Sequence, residues 1–282
     1  MQDAALTWQQ AAALTAGLGV LATALTVTRA PRFRAVAPFA REATMISGLY
    51  SLWQLAGTLS VLGTAGAMSR AEWIERTERV WHLPAEARVQ RALTGNDVSA
   101  QAANLYYATM HFGALFVFLI WLFVRHRDRY RQVRRVLALA TVVCLAIQLL
   151  PVAPPRLLPE YTDTAEKYHQ SVYGLGLGAD QLSAMPSVHV AWAVLIGWAA
   201  ARIGSGPWRW LGTVHAVLTV IVVAATANHF WADGIVAVAV LALCAVAEKG
   251  AVRALSRLRA QSETVPFVPI ELSPAQNGVI LR

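Results

Sequence analysis

The sequence predicts an all-α, polytopic transmembrane helix bundle of six to seven spans with a short interfacial amphipathic helix. Of the 282 residues, 56% are hydrophobic and only 14% are charged, whereas a soluble domain carries about 25% charged residues. Several apolar runs also reach the roughly 20 residues with which a helix crosses a bilayer. The formal charge of +8 therefore indicates basic cytoplasmic loops rather than a nucleic-acid partner.

Seven apolar runs follow one another along the chain as candidate spans. The first run has no basic leader and no A-x-A site after it, so it is predicted to be a retained span. The last two runs form one stretch that is too long for a single crossing, and the polar groups of ANHFWADG predict a turn within it. The predicted spans are residues 11–28, 44–66, 104–124, 135–152, 187–203, 210–227 and 230–248.

The charges of the loops predict the orientation of the chain. Of the 24 Lys and Arg residues, 17 lie in the first, third and fifth loops and the C-terminal tail, and basic loops stay in the cytoplasm. The C-terminus is therefore predicted to be cytoplasmic, and the second and fourth loops face the extracytoplasmic side of a cell membrane. We expect an N-terminal span with its cytoplasmic loop (1–43), a membrane domain (44–248) and a basic, partly flexible cytoplasmic tail (249–282).

The second loop contains the amphipathic segment RAEWIERTERVWHLPAEARVQ. Trp73, Ile74, Thr77, Val80 and Trp81 recur at helical spacing, and charged residues fill the opposite face. This pattern is typical of a helix that lies in the membrane interface. A helix that packs on the bundle of its own chain gives the same pattern, and both alternatives stay open.

Three polar segments are predicted to meet on the extracytoplasmic side. In PVAPPRLLPE, prolines that cannot continue a helix place Arg156 just after the fourth span; alternatively, this arginine reaches lipid headgroups. In AMPSVHVAW, Pro186 suits the first helical position. Ser187 and the free N–H groups of the helix start form an anion site near His189. The alternative is a structural histidine bonded to a neighbouring helix.

The third polar segment is NHFWAD. His229 and Asp233 are four residues apart, so we expect one helix face to hold both. A carboxylate that accepts the Nδ1–H of the imidazole leaves Nε2 as a nucleophile. The alternative is a buried polar pair that joins two helices. His111 and His215 lie in spans without a nearby acidic residue, and they are not assigned to the site.

PSVHVAW followed by NHFWAD resembles the type-2 phosphatidic acid phosphatase superfamily of lipid phosphate phosphatases. PVAPPR and ERVWHLPAEARVQ are similar to the branch that includes fungal inositol phosphorylceramide synthases, and the resemblance covers about residues 45–248. It implies that His229 attacks phosphorus and becomes a phosphohistidine. Asp233 would orient His229, and His189 would protonate the leaving oxygen. Ser187 and Arg156 would hold phosphoryl oxygens.

The chain departs from the phosphatase branch at two of that branch's phosphate-binding cations. No lysine precedes Arg156 in the fourth span, and AATAN stands where that branch has a Ser-Arg pair before the nucleophile. Lys167 and Asn228 are candidate replacements in phosphate binding. The departures leave open whether water or a second alcohol resolves the phosphoenzyme.

We therefore expect an integral-membrane lipid phosphatase or phosphotransferase that needs no metal and no cofactor. Its partners would be a lipid phosphate, the bilayer and, for a transferase, an alcohol acceptor. A transporter with a histidine relay is an alternative, although its spans would need more ionisable residues than these contain. A non-catalytic lipid-binding protein is another alternative. The sequence specifies neither the lipid nor the oligomeric state.

Overall fold

The computed structural model describes residues 6–61, 65–170 and 181–263. The regular structure of these residues is helical, which confirms the predicted all-α bundle. The helices are α1 (Trp8–Val27), α2 (Pro31–Arg34), α3 (Ala37–Val61), α4 (Ala67–Val80), α5 (Glu86–Thr94), α6 (Asp97–Arg125), α7 (Arg127–Gln148), α8 (Thr164–Lys167), α9 (Val188–Ile203), α10 (Leu211–Ala225) and α11 (Trp231–Glu263).

Four stretches of the described residues are long and apolar enough to cross a membrane. They are α1, α6, α10 with the 3-10 turn before it, and the part of α11 up to Leu258. Helix α9 is apolar but has only 16 residues. Helices α3, α7 and α9 lie at the other three predicted spans, and the number of crossings stays a prediction.

Local sequence explains where the helices near the site begin and end. Ser187 caps α9, because its Oγ accepts a hydrogen bond from the N–H of Val190. Pro186 precedes this cap, so the prediction that it takes the first helical position was wrong. Helix α7 ends at Gln148, just before the proline-rich segment. Helices α10 and α11 are separated by residues 226–230, which confirms the turn predicted in ANHFWADG.

Helices α6, α7, α9 and α11 surround the main hydrophobic core. Buried members include Leu122, Cys144 and Leu195. Helices α9 and α10 pack closely through Gly197 and Gly212, since a Cβ atom at Gly212 would lie 2.9 Å from the Cβ of Ala200. Side chains larger than hydrogen at these two glycines would push the helices apart. This packing fixes the helix ends that carry the polar segments.

The predicted amphipathic helix is two helices, α4 and α5, with Pro84 in the connection. Helix α4 packs on the protein through a buried face of Ala71, Ile74 and Glu78. Trp73 and Trp81 are each 62% exposed, so they do not share the buried face as their spacing suggested. Helix α4 thus contacts the bundle and presents its tryptophans outward.

The far end of the bundle is held by ion pairs of α7. Arg135 donates to Glu248 of α11 at 2.5 Å, and Arg134 pairs with Glu42 of α3. Tyr130 Oη donates to Glu42 at 2.8 Å. Helix α11 continues through residues 249–263 of the predicted tail, and residues 264–282 lie outside the described residues.

Candidate active site

Backbone hydrogen bonds join the three polar segments at one end of the bundle. The N–H of Val152 donates to the carbonyl of Leu182 at 2.7 Å, which links the proline-rich segment to AMPS. The N–H of Arg156 donates to Ala227 O at 2.8 Å, and the N–H of Ser187 donates to Asp233 O at 3.1 Å. Segments that are distant in sequence therefore share one compact, backbone-braced site.

His229 lies in the turn before α11 and not within the helix, so it does not share a helix face with Asp233 as expected. Its side chain is buried, and its Nδ1 lies 2.8 Å from Ala184 O and 3.3 Å from Asp233 Oδ2. A carbonyl oxygen only accepts hydrogen bonds, so Nδ1 carries the proton and donates it. In the described part of the chain, Nε2 has no hydrogen-bond partner. This tautomer leaves a lone pair on Nε2.

Asp233 is completely buried at the first turn of α11. Its Oδ2 accepts from the N–H of Phe230 at 2.9 Å as well as from His229. The carboxylate therefore bonds both the side chain of His229 and the backbone that follows it. A negative charge at a helix start is also stabilised by the helix dipole. Asp233 can thus orient the imidazole and stabilise a positive charge on it.

His189 lies at the start of α9, in the second helical position after the Ser187 cap. Its ring centroid is 5.6 Å from that of His229, so the two predicted histidines lie side by side. Tyr107 of α6 stacks on His189 at 4.5 Å, and His111 lies 4.2 Å away. The site therefore contains a third histidine, His111. It was not assigned to the site from the sequence, because it lies in a span without a nearby acidic residue.

Arg156 lies in a short 3-10 helix at Pro155–Leu157, and its side chain is buried. Its Nε donates to Asp163 Oδ2 at 3.0 Å. The backbone N–H of Arg156 bonds Ala227, two residues before His229, so this residue lies beside the turn that carries His229. Arg156 is only 5% exposed, so it does not reach out to lipid headgroups, which was the alternative role for this residue.

Ser187 and Asn228 are buried beside the two histidines. Ser187 Oγ accepts the capping bond from Val190 and keeps its own proton to donate. Asn228 Nδ2 donates one N–H to Thr226 Oγ1 at 2.8 Å. Both side chains therefore retain hydrogen-bonding capacity toward a ligand, Ser187 through its hydroxyl and Asn228 through its second N–H and its amide oxygen.

Lys167 is not brought to the histidines. Its exposed ammonium donates to Tyr168 Oη at 2.9 Å and lies 3.8 Å from Asp97, and the hydrogen bond to Tyr168 raises the pKa of Lys167. It is linked to the site only through Asp163, whose carbonyl accepts from the N–H of Lys167 at 3.0 Å. The described contacts thus give it no direct place beside Arg156.

Sequence reasoning also missed three buried polar side chains that brace the site. Gln148, at the end of α7, donates through Nε2 to Pro186 O at 2.9 Å. Glu78 of α4 and Glu86 of α5 accept hydrogen bonds from the first N–H groups of α11. Their spacing carries no catalytic motif, and only the tertiary fold brings them to the helix start.

These features together define a helical membrane protein with a buried site of two histidines, a carboxylate and an arginine, a set suited to phosphate chemistry. A family model described as the PAP2 superfamily matches residues 72–247, and the chain belongs to this superfamily. No curated protein and no solved structure matches the chain. Membership supports a phosphatase-type phosphoesterase of lipid phosphates in a membrane setting.

Proposed function

We propose that this protein cleaves a phosphoester of a membrane lipid through a phosphohistidine at His229. One observation carries the proposal. The Nδ1–H of His229 is held by Ala184 O and Asp233, and Nε2 is buried and without a partner in the described part of the chain. An imidazole fixed in this tautomer is a prepared nucleophile.

In the first step, Nε2 of His229 attacks phosphorus and forms the N–P bond, while the bond from phosphorus to the lipid oxygen breaks. His189 donates a proton to the leaving oxygen. Asp233 stabilises the positive charge that develops on the imidazole. Arg156 and the Ser187 hydroxyl hold the phosphoryl oxygens, with Asn228 as a further phosphate contact through the second N–H of its amide.

In the second step, water or an alcohol attacks phosphorus and the N–P bond breaks. His189, now neutral, takes the proton of the attacking group. Water releases a phosphate product, and an alcohol becomes a new phosphoester. The same histidine thus serves first as acid and then as base, as microscopic reversibility requires.

The charge around Arg156 favours the transferase as a second candidate. The guanidinium shares its charge with Asp163, so the pair as a whole is neutral. A phosphomonoester carries about 1.5 to 2 negative charges near pH 7, and a phosphodiester carries one. A site of low positive charge suits the diester, which is the substrate of a headgroup transferase such as inositol phosphorylceramide synthase.

In this proposal the site faces the extracytoplasmic side of the cell membrane, because the basic loops, which stay in the cytoplasm, lie at the other end of the bundle. Single cysteines test it, because native Cys144 and Cys244 are buried. Arg76→Cys in α4 should react with an impermeant maleimide in intact cells, whereas Arg129→Cys in α7 should react only after permeabilisation. The reverse pattern would place the site in the cytoplasm.

The central experiment compares the wild type with His229→Ala on a panel of lipid phosphomonoesters and phosphodiesters. His229→Ala should abolish turnover, and the wild type, denatured in alkali during turnover, should carry an adduct on His229 by mass spectrometry. His126→Asn, at the far end, is the control that should keep full activity. Turnover by His229→Ala at the wild-type rate would refute the mechanism.

The same panel, assayed with and without alcohol acceptors, distinguishes the two candidate functions. Free phosphate and an adduct of phosphoryl mass identify a phosphatase. An adduct that retains the headgroup, and a new phosphodiester with the acceptor, identify a transferase. Tight lipid binding without either product would indicate the non-catalytic alternative, and proton-coupled flux in liposomes would indicate a transporter.

A further inference from the structure

The start of α11 is held by acids that the proposed mechanism does not use. Glu78 and Glu86 are buried, with exposed fractions of 3% and 2%. Glu78 Oε1 accepts from the N–H of Ala232 at 2.6 Å, and Glu86 Oε1 accepts from the N–H of Trp231 at 3.1 Å. Asp233 accepts from the N–H of Phe230, so three successive N–H groups each bond a different carboxyl.

These three N–H groups belong to the first turn of the helix, where no backbone partner exists. The donors immediately follow His229 in sequence. The indole Nε1 of Trp231 also donates to Pro84 O at 2.6 Å, which fixes the same turn against the α4–α5 connection. The backbone that follows His229 is therefore held by α4 and α5, two helices that contribute no reacting group.

The two glutamates interact with each other, and Glu78 Oε2 has no donor among the described residues. Burial, followed by the hydrogen bond and charge of Glu86, raises the pKa of Glu78 to about 9. A proton on Glu78 supplies a donor toward Glu86 and removes the negative charge of Glu78 at neutral pH. The other ionisable groups that face the pair are Asp233 and Tyr161, whose Oη donates to Glu75 Oε1.

We propose that Glu78 and Glu86 are positioning residues of the reaction, whose carboxyls hold the start of α11 so that His229 and Asp233 face the substrate phosphate. The proposal rests on the function proposed above. Loss of the Glu78 proton in alkali would place a second charge beside Glu86, and the repulsion would displace the first turn of α11 and the His229 ring with it.

The first test compares Glu78→Gln with Glu78→Ala in turnover of the lipid that the panel identifies. Glutamine keeps an oxygen for Ala232 and supplies a permanent donor to Glu86, so kcat at pH 7 should stay within about threefold of the wild type. Alanine leaves the helix start loose, and kcat should fall about 10²-fold with little change in KM. Glu72→Ala, on the exposed face of α4, is the matched control.

The pH profile separates positioning from a general loss of stability. The wild-type kcat should fall above about pH 9, and Glu78→Gln should lose this alkaline limb because its amide does not ionise. An unchanged kcat in Glu78→Ala, or an alkaline limb retained in Glu78→Gln, would overturn the proposal.

A readout without substrate keeps this proposal distinct from the proposed function. In protein with ¹⁵N-labelled histidine, Glu78→Ala should shift or broaden the imidazole signals of His229, and Glu78→Gln should leave them in place. His229 signals that are identical in all three proteins would overturn the positioning role even if the enzyme turns over lipid. Shifted signals in a protein that turns over no lipid would refute the catalytic mechanism alone.

Discussion

Acids with little exposure are held in different ways at the two ends of the bundle. At the far end, Glu42 and Glu248 each pair with an arginine of α7. At the site end, Glu78, Glu86 and Asp233 instead bond backbone N–H groups at the start of α11. On α11, Trp231 and Glu248 are about 25 Å apart along the helix axis.

The comparison shows that glutamates have two different roles in this protein, one in charge pairing and one in holding the backbone. An arginine–glutamate pair neutralises charge and joins two helices, so its loss should lower stability. A carboxyl on a backbone N–H fixes the chain to within hydrogen-bond distance, so its loss should move the side chains that follow. We therefore expect substitutions at the site end to change rates and those at the far end to change stability.

The largest effect is expected for Asp233→Asn. The asparagine Oδ1 can still accept from Phe230, so the helix start should form, but the imidazole loses the negative charge that stabilises its cation. We expect kcat to fall by about 10³- to 10⁴-fold, measured as product release by purified protein. A loss of less than tenfold would show that Ala184 O alone is enough to prepare His229.

Arg156→Lys should have the next largest effect. Lysine keeps the charge but lacks the planar fork that can bond Asp163 and a phosphoryl oxygen together. We expect kcat/KM to fall by about 10- to 100-fold, with the change measured from initial rates at several lipid concentrations. Arg134→Lys makes the same exchange at the far end and should leave kcat/KM unchanged. An equal fall of kcat/KM in both variants would contradict the different roles assigned to the two ends.

Glu248→Gln tests the far end directly. It removes the charge that Arg135 bonds, and because Arg135 is about half exposed, the cost should be only about 1 kcal/mol in the free energy of unfolding. Thermal unfolding in detergent measures it, with Arg135→Gln and the double variant completing a cycle. The rate per folded molecule should not change, and a lowered kcat would contradict the assignment of this end to stability.

A separate effect is expected in the pH dependence of thermal unfolding. The pKa of Glu78 is raised in the folded protein to about 9 from an ordinary value of 4.5. Between these values the folded protein binds the proton that the unfolded chain releases, so stability falls as pH rises from about 5 to 9 and then levels off. Glu78→Gln should flatten this slope, which scans of apparent Tm at several pH values between 5 and 9 measure; an unchanged slope would show that Glu78 does not hold the proton.

Much of the site could be predicted because its residues lie at helix boundaries that have sequence signals. Ser187 is a good cap, prolines stop the helix before Arg156, and ANHFWADG interrupts an apolar run. These signals placed His189 and His229 at the same end of the bundle. They could not show that His229 lies before the helix, because the i, i+4 spacing to Asp233 is the same in a turn that leads into one.

The missed parts of the site depend on groups without a local sequence pattern. Ala184 contributes a carbonyl oxygen, which any residue has. His111 has no acidic neighbour in sequence, and its importance comes from the packing of α6 against α9. Glu78 and Glu86 lie in a segment whose exposed tryptophans dominate its apolar pattern, so the buried face of α4 could not be recognised from spacing.

The bonds from α4 and α5 to the start of α11 also order events during synthesis of the chain. Glu78 and Glu86 precede their donors by 154 and 145 residues. At about 5 to 20 residues per second, translation takes roughly 7 to 30 s to span that distance. During this interval the two glutamates have no bond to the start of α11, because that helix has not yet been made. A nascent chain therefore contains both glutamates before the proposed nucleophile, and the bonds that hold His229 in place can form only once the start of α11 has been made.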